Sequence, residues 1–120
     1  MHLSMVKVNL AEKLSTVDER WSPKIVARFN GNDVMVVKVE GAFVWHAHPE
    51  TDDFFLVLSG ALEIELRDRS VALGPGELFV VAAGVERRPV ARGEAHLLLI
   101  EPAGTPNTGD PATAAAKTAI

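Results

Sequence analysis

The chain has 120 residues, of which 48% are hydrophobic and 23% charged, and its formal net charge is −4. This size and composition predict one globular domain with a single core, and they exclude a disordered or collagen-like chain. Cysteine is absent, which excludes disulfides, thiolate nucleophiles and cysteine-ligated metal centres. Any metal site must therefore use histidine and carboxylate ligands.

The distribution of charged and apolar residues bears on the partners of the protein. Basic residues form no long run, which predicts that neither nucleic acid nor an anionic membrane surface is a partner. The longest apolar runs, 54–58 and 78–83, are far shorter than the roughly 18 residues of a membrane span. Residues 1–9 lack the apolar stretch of a signal peptide. We therefore expect a cytoplasmic protein.

The first part of the chain predicts one short helix. Asn9 followed by Glu12 resembles a capping pair, and apolar residues recur at helical spacing over residues 10–19. Pro23 favours an end to this region. We assign residues 1–23 to an N-terminal segment that contains the helix.

Residues 24–101 are rich in strand-forming residues divided by turn-forming ones. The predicted strands cover residues 24–29, 34–40, 54–58, 62–67, 71–73, 78–82, 88–91 and 95–101. Asn30–Gly31 predicts a hairpin turn. In 62–67 the apolar Leu62, Ile64 and Leu66 alternate with charged residues, which predicts a strand with one buried face. Eight or nine such strands predict an all-β sandwich or barrel.

The end of the chain has a different composition. After Pro102 the sequence is rich in glycine, proline, threonine and alanine and carries few bulky apolar side chains. Such a segment does not bury enough apolar surface to order itself alone. We therefore expect residues 102–120 to form a loose tail.

Three residues point to a metal site. His46 and His48 are separated by one residue, so on a strand both rings would project from the same face toward one ion. A polar surface pair would show the same spacing. Asp53, at the head of the next apolar strand, would complete a set of two histidines and one carboxylate.

At this point the sequence resembles the cupin family. The first cupin motif consists of a glycine, His-x-His, an acidic residue and a glycine, and its places are taken here by Gly41, His46, His48, Asp53 and Gly60. The second motif is weaker, and its places are taken by Gly76, Ala82, Gly84, Arg87 and Ala91. Its two glycines match, while the usual proline, histidine and asparagine are replaced.

The resemblance covers roughly residues 24–101 and points to the small bacterial, single-domain cupins of the mannose-6-phosphate isomerase-like type. It implies a cupin-type antiparallel jelly-roll β-barrel with a short N-terminal helix. It also implies a homodimer, in which the N-terminal segments pack across the pair. Apolar residues ahead of the helix would suit that contact, namely Leu3, Met5, Val6 and Val8.

The resemblance also implies that His46, His48 and Asp53 bind a divalent metal such as Fe, Mn, Ni or Zn. Arg87 stands where the family has a third histidine, and a guanidinium has no lone pair to offer a metal. About 5 Å from a divalent cation it would be repelled by on the order of 7 kcal/mol at an effective dielectric of ~20. Asp53 is also one methylene shorter than the usual glutamate. Both changes weaken the metal site.

Two arrangements satisfy these charges. Asp53 holds a metal while Arg87 binds the carboxylate of a small molecule, which suits a metal-dependent enzyme of unidentified substrate. Alternatively, Arg87 pairs with Asp53 in place of the metal, which suits a non-catalytic ligand-binding or interaction barrel. The sequence does not choose between them. His96, on the last predicted strand, is expected in the core or an interface and not as a substitute third ligand.

Overall fold

In the computed structural model, which describes residues 5–120, turn-forming residues divide the chain into one helix and eight strands. The elements are α1 (Leu10–Leu14), β1 (Lys24–Phe29), β2 (Asn32–Ala42), β3 (Asp53–Ser59), β4 (Leu62–Leu66), β5 (Ser70–Leu73), β6 (Leu78–Val81), β7 (Arg87–Pro102) and β8 (Thr118–Ala119). All strand pairs are antiparallel except β1 with β8. The predicted antiparallel jelly-roll barrel with a short N-terminal helix is confirmed.

The helix is shorter than predicted. Asn9 caps it, because its side chain accepts a hydrogen bond from a backbone N–H of the first turn. The helix ends at Leu14 and does not continue to residue 19, as the sequence predicted. The hydroxyls of Ser15 and Thr16 donate to carbonyl oxygens three residues earlier, and such local bonds compete with helix continuation. No helix among residues 5–120 is long and apolar enough to cross a lipid bilayer.

Strand β7 organises the sheet because three other strands pair with it. Its first residues pair with β4, its last residues pair with β3, and β2 runs along its other side. The two strands predicted at 88–91 and 95–101 are therefore one, joined through the exposed residues 92–94. Alternate side chains of these strands point inward and form the core, which includes Met35, Val37, Val39, Phe55, Val57, Leu62, Ile64, Leu97 and Leu99.

Two local predictions are confirmed by the backbone. Asn30 and Gly31 both have positive φ, at 49° and 77°, as the predicted hairpin turn requires. In β4, Leu62 and Ile64 are buried while the intervening Glu63 is only half-buried. The register predicted from sequence alternation is thus the one that forms the core.

The C-terminal segment lies against the barrel. The sequence predicts a loose tail here, whereas β8 extends the sheet by pairing with Lys24 and Ile25 of β1. Ile120 packs on a second apolar cluster that includes Leu14 and Val36. These contacts use backbone groups and one terminal side chain, which composition does not reveal. The division into residues 1–23, 24–101 and 102–120 stays a prediction.

Gly60 provides a test of this packing. A Cβ at Gly60 would stand 2.7 Å from the carbonyl oxygen of Glu94, whereas one at Gly41 would meet nothing within 4 Å. Both glycines have positive φ, which costs other residues about 1–2 kcal/mol. We expect Gly60→Ala to lower the free energy of unfolding by ~2–5 kcal/mol, because overpacking adds to that cost. Urea denaturation measures it, and equal losses in Gly60→Ala and Gly41→Ala would contradict the packing described.

Candidate functional site

The barrel brings together residues from three separate parts of the chain. Asp53 begins β3 and points inward in phase with Phe55, and Arg87 begins β7. The connection between β2 and β3 carries His46 and His48. Its backbone is tied to β7, because His46 and Arg87 exchange two backbone hydrogen bonds of 3.0 and 2.9 Å. All four residues therefore meet at one end of the barrel.

His46 is oriented as a metal ligand would be. Its Nδ1 lies 2.9 Å from the carbonyl oxygen of Val44, and a carbonyl can only accept, so Nδ1 carries the proton. The lone pair is then on Nε2, as in histidines whose outer nitrogen is held by a backbone carbonyl. Burial, and to a lesser extent the charges of His48 and Arg87, lower the pKa of His46. The neutral, ligand-competent imidazole is thus favoured.

The imidazole ring of His48 is buried without a hydrogen bond to any of the described residues. The residue is 2% exposed, and its Nδ1 has no hydrogen-bond partner among the described residues. Its Nε2 lies 3.4 Å from Oδ2 of Asp53, which is longer than an ordinary N–H···O bond. Buried polar atoms in proteins are rarely left unsatisfied. A metal ion would satisfy one of the two ring nitrogens.

Asp53 and Arg87 form an ion pair inside the barrel. They are 3% and 0% exposed, and Nη1 of Arg87 donates to Oδ2 of Asp53 over 3.0 Å. The guanidinium also donates to two carbonyl oxygens, from Nε to Val85 (2.9 Å) and from Nη2 to Ala82 (3.2 Å). The sequence left the direction of Arg87 open, and the structure places its side chain in the interior.

The residues present fit a divalent metal ion with three protein ligands. One ligand atom from each of His46, His48 and Asp53 lies within 4.8 Å of the others. Two imidazoles and one carboxylate are a donor set that binds first-row transition metals. Arg87 occupies the place of a fourth ligand without being able to serve as one. A metal here would therefore share Asp53 with the guanidinium, which a carboxylate with two oxygens allows.

Glu101 is a site residue that sequence reasoning missed. Phe54 of β3 lies opposite Ile100 of β7, so Asp53 and Glu101 are the next residues along the two strands, and both are buried. Glu101 is 3% exposed, its Oε2 has no hydrogen bond, and the nearest cation is Nζ of Lys117 at 3.6 Å. Burial, together with the charge of Asp53, raises the pKa of Glu101 to about 7. The sequence signal for its inward position is its spacing: it stands two residues after Leu99 and four after Leu97, in the same alternating row.

A small cavity lies next to these groups. It is faced by His46, Asp53 and Glu101, and its apolar lining includes Trp21 and Phe43. The two aromatic rings stack with centroids 4.7 Å apart. The volume of the cavity that the centre of a water molecule can occupy is about 40 Å³. This is enough for roughly three water molecules. Asp53 and Glu101 are buried beside this space, whereas His46 is half-buried.

His96 does not belong to this cavity. It alternates with the inward Leu97 and Leu99 on β7, and its Nε2 lies 2.9 Å from a carboxylate oxygen of Glu94. Its side chain is on the outer face of the barrel, beside Lys38 and helix α1. The structure therefore places His96 on the outer face and not in the core, away from His46, His48 and Asp53.

Comparison with known proteins identifies the fold and its relatives. Residues 33–101 match the family model described as Cupin domain. Over 65 residues the chain is 31% identical to the uncharacterized protein YdbB of Bacillus subtilis (strain 168). That match covers 54% of this chain and 58% of YdbB, so the chain spans less than two thirds of this relative. The resemblance inferred from the motifs is confirmed.

Solved structures agree with this family. A cupin-2 domain containing protein from Shewanella frigidimarina is 42% identical, with 79% of this chain and 93% of that chain covered and a TM-score of 0.78. Hydroquinone 1,2-dioxygenase from Sphingomonas sp. TTNP3, in complex with 4-nitrophenol, is 19% identical, with 82% and 33% covered and a TM-score of 0.71. At that identity the dioxygenase shares the fold alone.

The buried ion pair should be energetically important. In Asp53→Asn the charge of Arg87 stays buried without its carboxylate, and breaking such a pair costs roughly 3–5 kcal/mol. Glu86→Gln is the matched control, because Arg67 and Glu86 are 59% and 54% exposed and exposed pairs contribute less than about 1 kcal/mol. Denaturant unfolding measures both variants. Losses of equal size would contradict the buried pair.

Glu101 should make stability depend on pH. Its pKa rises from 4.5 to about 7 on folding, so the folded protein binds this proton more tightly than the unfolded chain. The resulting stabilisation is fully present below pH 4.5 and is lost as the pH rises through 7, a change of about 3 kcal/mol at 1.36 kcal/mol per pH unit. Glu101→Gln should abolish this loss. Urea denaturation at pH 5 and pH 8 tests it, and unchanged pH dependence would contradict it.

Proposed function

Because the chain belongs to the cupin family, we propose that its barrel holds a divalent metal ion and a small anionic molecule side by side. His46, His48 and Asp53 would bind the metal, and Arg87 would bind the anion. One observation supports this most strongly: three potential ligand atoms converge within 4.8 Å, beside a guanidinium that is fully buried. We propose metal-dependent chemistry on a small carboxylate as the function of the site.

Charge balance is the reason for proposing an anion together with the metal. Asp53 is paired with Arg87, and Glu101 lies near Lys117, so these four buried or half-buried groups nearly balance. A divalent ion would add two positive charges. Its repulsion from a guanidinium about 5 Å away would be on the order of 7 kcal/mol at an effective dielectric of ~20. An anionic ligand between the two offsets this repulsion.

Arg87 is suited to bind that ligand. A guanidinium carries five N–H groups in a planar fork, and the three hydrogen bonds to Asp53, Val85 and Ala82 leave two of them. One remains on each of Nη1 and Nη2, and a guanidinium that offers two such groups in parallel recognises a carboxylate. The two backbone carbonyls hold the guanidinium in place before any ligand binds, which lowers the entropy lost on binding.

The protein residues define how such a site would work. A divalent metal in this position supplies Lewis-acid polarisation of a bound oxygen. Val44 holds the ring of His46 in the tautomer that leaves Nε2 free, and the apolar walls of the cavity exclude bulk water from the reacting groups. Asp53 would contact both the metal and Arg87, and so fix the distance between the two binding positions.

A non-catalytic barrel is the second candidate. It is favoured by the direct 3.0 Å contact between Arg87 and Asp53, which satisfies the carboxylate without a metal. In that case the interior would bind a small anion, or the protein would act through an association with a partner. The two candidates differ in one measurable property, the affinity for a divalent ion.

The metal proposal predicts specific loss of binding. Protein stripped with a chelator should bind one Co(II) per chain at micromolar concentration, measured by calorimetry and by the visible absorption of the ion. His46→Ala should weaken this binding at least tenfold, because it removes one of three protein ligands. His96→Ala should leave it unchanged, because His96 pairs with Glu94 on the outer face.

Absence of Co(II) binding to the stripped protein would overturn the metal proposal and favour the second candidate. Equal binding by wild type and His46→Ala would show that the ion sits elsewhere. If Co(II) binds as predicted, elemental analysis of protein purified without chelator would indicate which of Fe, Mn, Ni or Zn is the natural ion.

The homodimer implied by the family resemblance also stays a proposal. Met5 and Val6 are highly exposed in the single chain, whereas Val8 packs on the cluster beneath α1. Leu3 lies outside the described residues. Leu78 and Val80 are exposed on strand β6, which among the described strands pairs with β3 alone, and they extend the apolar surface available to a second copy. The cytoplasmic location likewise stays a prediction.

A further inference from the structure

The cavity that His46, Asp53 and Glu101 face is small. Its free space holds roughly three water molecules, which is room for a carboxylate of only a few atoms. A larger small molecule fits only if part of the wall moves. The part of the wall with the weakest attachment to the barrel is the part expected to move.

The C-terminal residues 103–120, here named the strap, form part of that wall. Asn107 lines the cavity, and its Nδ2 donates to the carbonyl oxygen of Trp21 over 3.4 Å. Oδ1 of Asn107 accepts from the backbone of Ala115 (2.9 Å), which ties two parts of the strap together. The strap thus contacts Trp21 through one long hydrogen bond, and the ring of Trp21 stacks on Phe43 at the cavity.

Trp21 itself has a strained backbone. Its φ is 58°, a left-handed conformation that is unusual for a bulky residue and is found where surrounding contacts impose it. Those contacts are the hydrogen bonds to Lys38 and Glu40 and the one from Asn107. Loss of the last would leave the tryptophan held from the barrel side only.

The strap is weakly attached to the barrel. None of its residues is buried, so little apolar surface would be exposed if it moved, and segments of this kind open at low free-energy cost. Apart from Asn107, its attachments include the short β8, the packing of Ile120 on the second apolar cluster and the backbone hydrogen bond from Ala103 to Gly31. Gly109 also approaches the backbone of Ala47, and Lys117 lies near Glu101. Lys117 also donates to the carbonyl oxygen of Thr105 within the strap.

The strap also borders the residues of the site on the outside. A surface groove lies between the strap residues Thr108, Asp110 and Thr113 and the connection that carries His46. His46 lines both this groove and the inner cavity. Movement of the strap away from Ala47 would therefore join the groove to the cavity at a proposed ligand of the metal.

We propose that the strap is a lid: it closes the cavity through Asn107 and Trp21, and it lifts to admit the small-molecule ligand. This device serves a metal-dependent enzyme and a metal-free binding barrel equally, so it stands independently of the metal proposal. It assigns a role to a segment whose composition alone indicates only a flexible tail.

Gly109 and Gly104 offer a matched pair of variants. Both have positive φ, at 76° and 86°, so alanine is disfavoured equally in the backbone of either position. A Cβ at Gly109 would collide with the carbonyl oxygen of Ala47, whereas one at Gly104 would meet nothing within 4 Å. Gly109→Ala should therefore lift the strap, and Gly104→Ala should leave it closed.

The readouts are quenching of Trp21 and cleavage at Lys117. The chain has two tryptophans, so in a Trp45→Phe background the fluorescence reports Trp21 alone. Acrylamide, a neutral molecule of ligand size, should quench Trp21 at least threefold more strongly in Gly109→Ala than in Gly104→Ala. Lys117 is the one basic residue of the strap, and trypsin should remove the last three residues at least tenfold faster in Gly109→Ala.

Equal quenching of Trp21 in the two glycine variants, with both variants folded, would overturn the proposal. Circular dichroism monitors the fold throughout. If Gly109→Ala does not fold, Asn107→Ala provides the test, because it removes the hydrogen bond to Trp21 without adding an atom. It should increase the quenching of Trp21, and unchanged quenching in that variant would likewise overturn the proposal.

Discussion

The buried ion pair between Asp53 and Arg87 is the interaction on which the rest of the site depends. Taking both charges out of water costs several kcal/mol per ion, and the 3.0 Å contact, together with the carbonyls of Val85 and Ala82, offsets that cost. The pair fixes Asp53 beside His48. It also puts a permanent positive charge where other members of the family have a ligand, so any metal here must share its carboxylate.

A second pair links the site to the C-terminal strap. Glu101 continues the inward row of β7, and its nearest cation is Lys117, which the strap contributes. The cavity therefore contains one carboxylate whose partner belongs to the barrel and one whose partner belongs to a weakly attached segment. Movement of the strap would therefore change both the access of a ligand to the cavity and the charge of the interior, because Lys117 belongs to the strap.

The comparison of sequence and structure shows what local patterns can predict. The alternation of Leu62 and Ile64 predicted a buried face correctly, and the spacing of His46 and His48 predicted convergence, because strand geometry is a local property. The inward direction of Arg87 depends on the backbone bridge to His46, which no local pattern encodes. Glu101 continues the alternation of inward residues in its strand, but a charged side chain does not indicate a buried position in the sequence. The docking of residues 102–120 depends on long-range backbone pairing, which amino-acid composition does not predict.

The proposed function has a metal held by His46, His48 and Asp53 beside an anion held by Arg87. Its most direct test is the Co(II) affinity of the stripped protein with and without saturating formate, corrected for Co(II)–formate association in free solution. Formate should raise the affinity for Co(II) at least about fivefold, a typical coupling between linked sites. Arg87→Met should bind Co(II) with an affinity that formate does not change. An affinity that formate leaves unchanged, or an effect that persists in Arg87→Met, would contradict it.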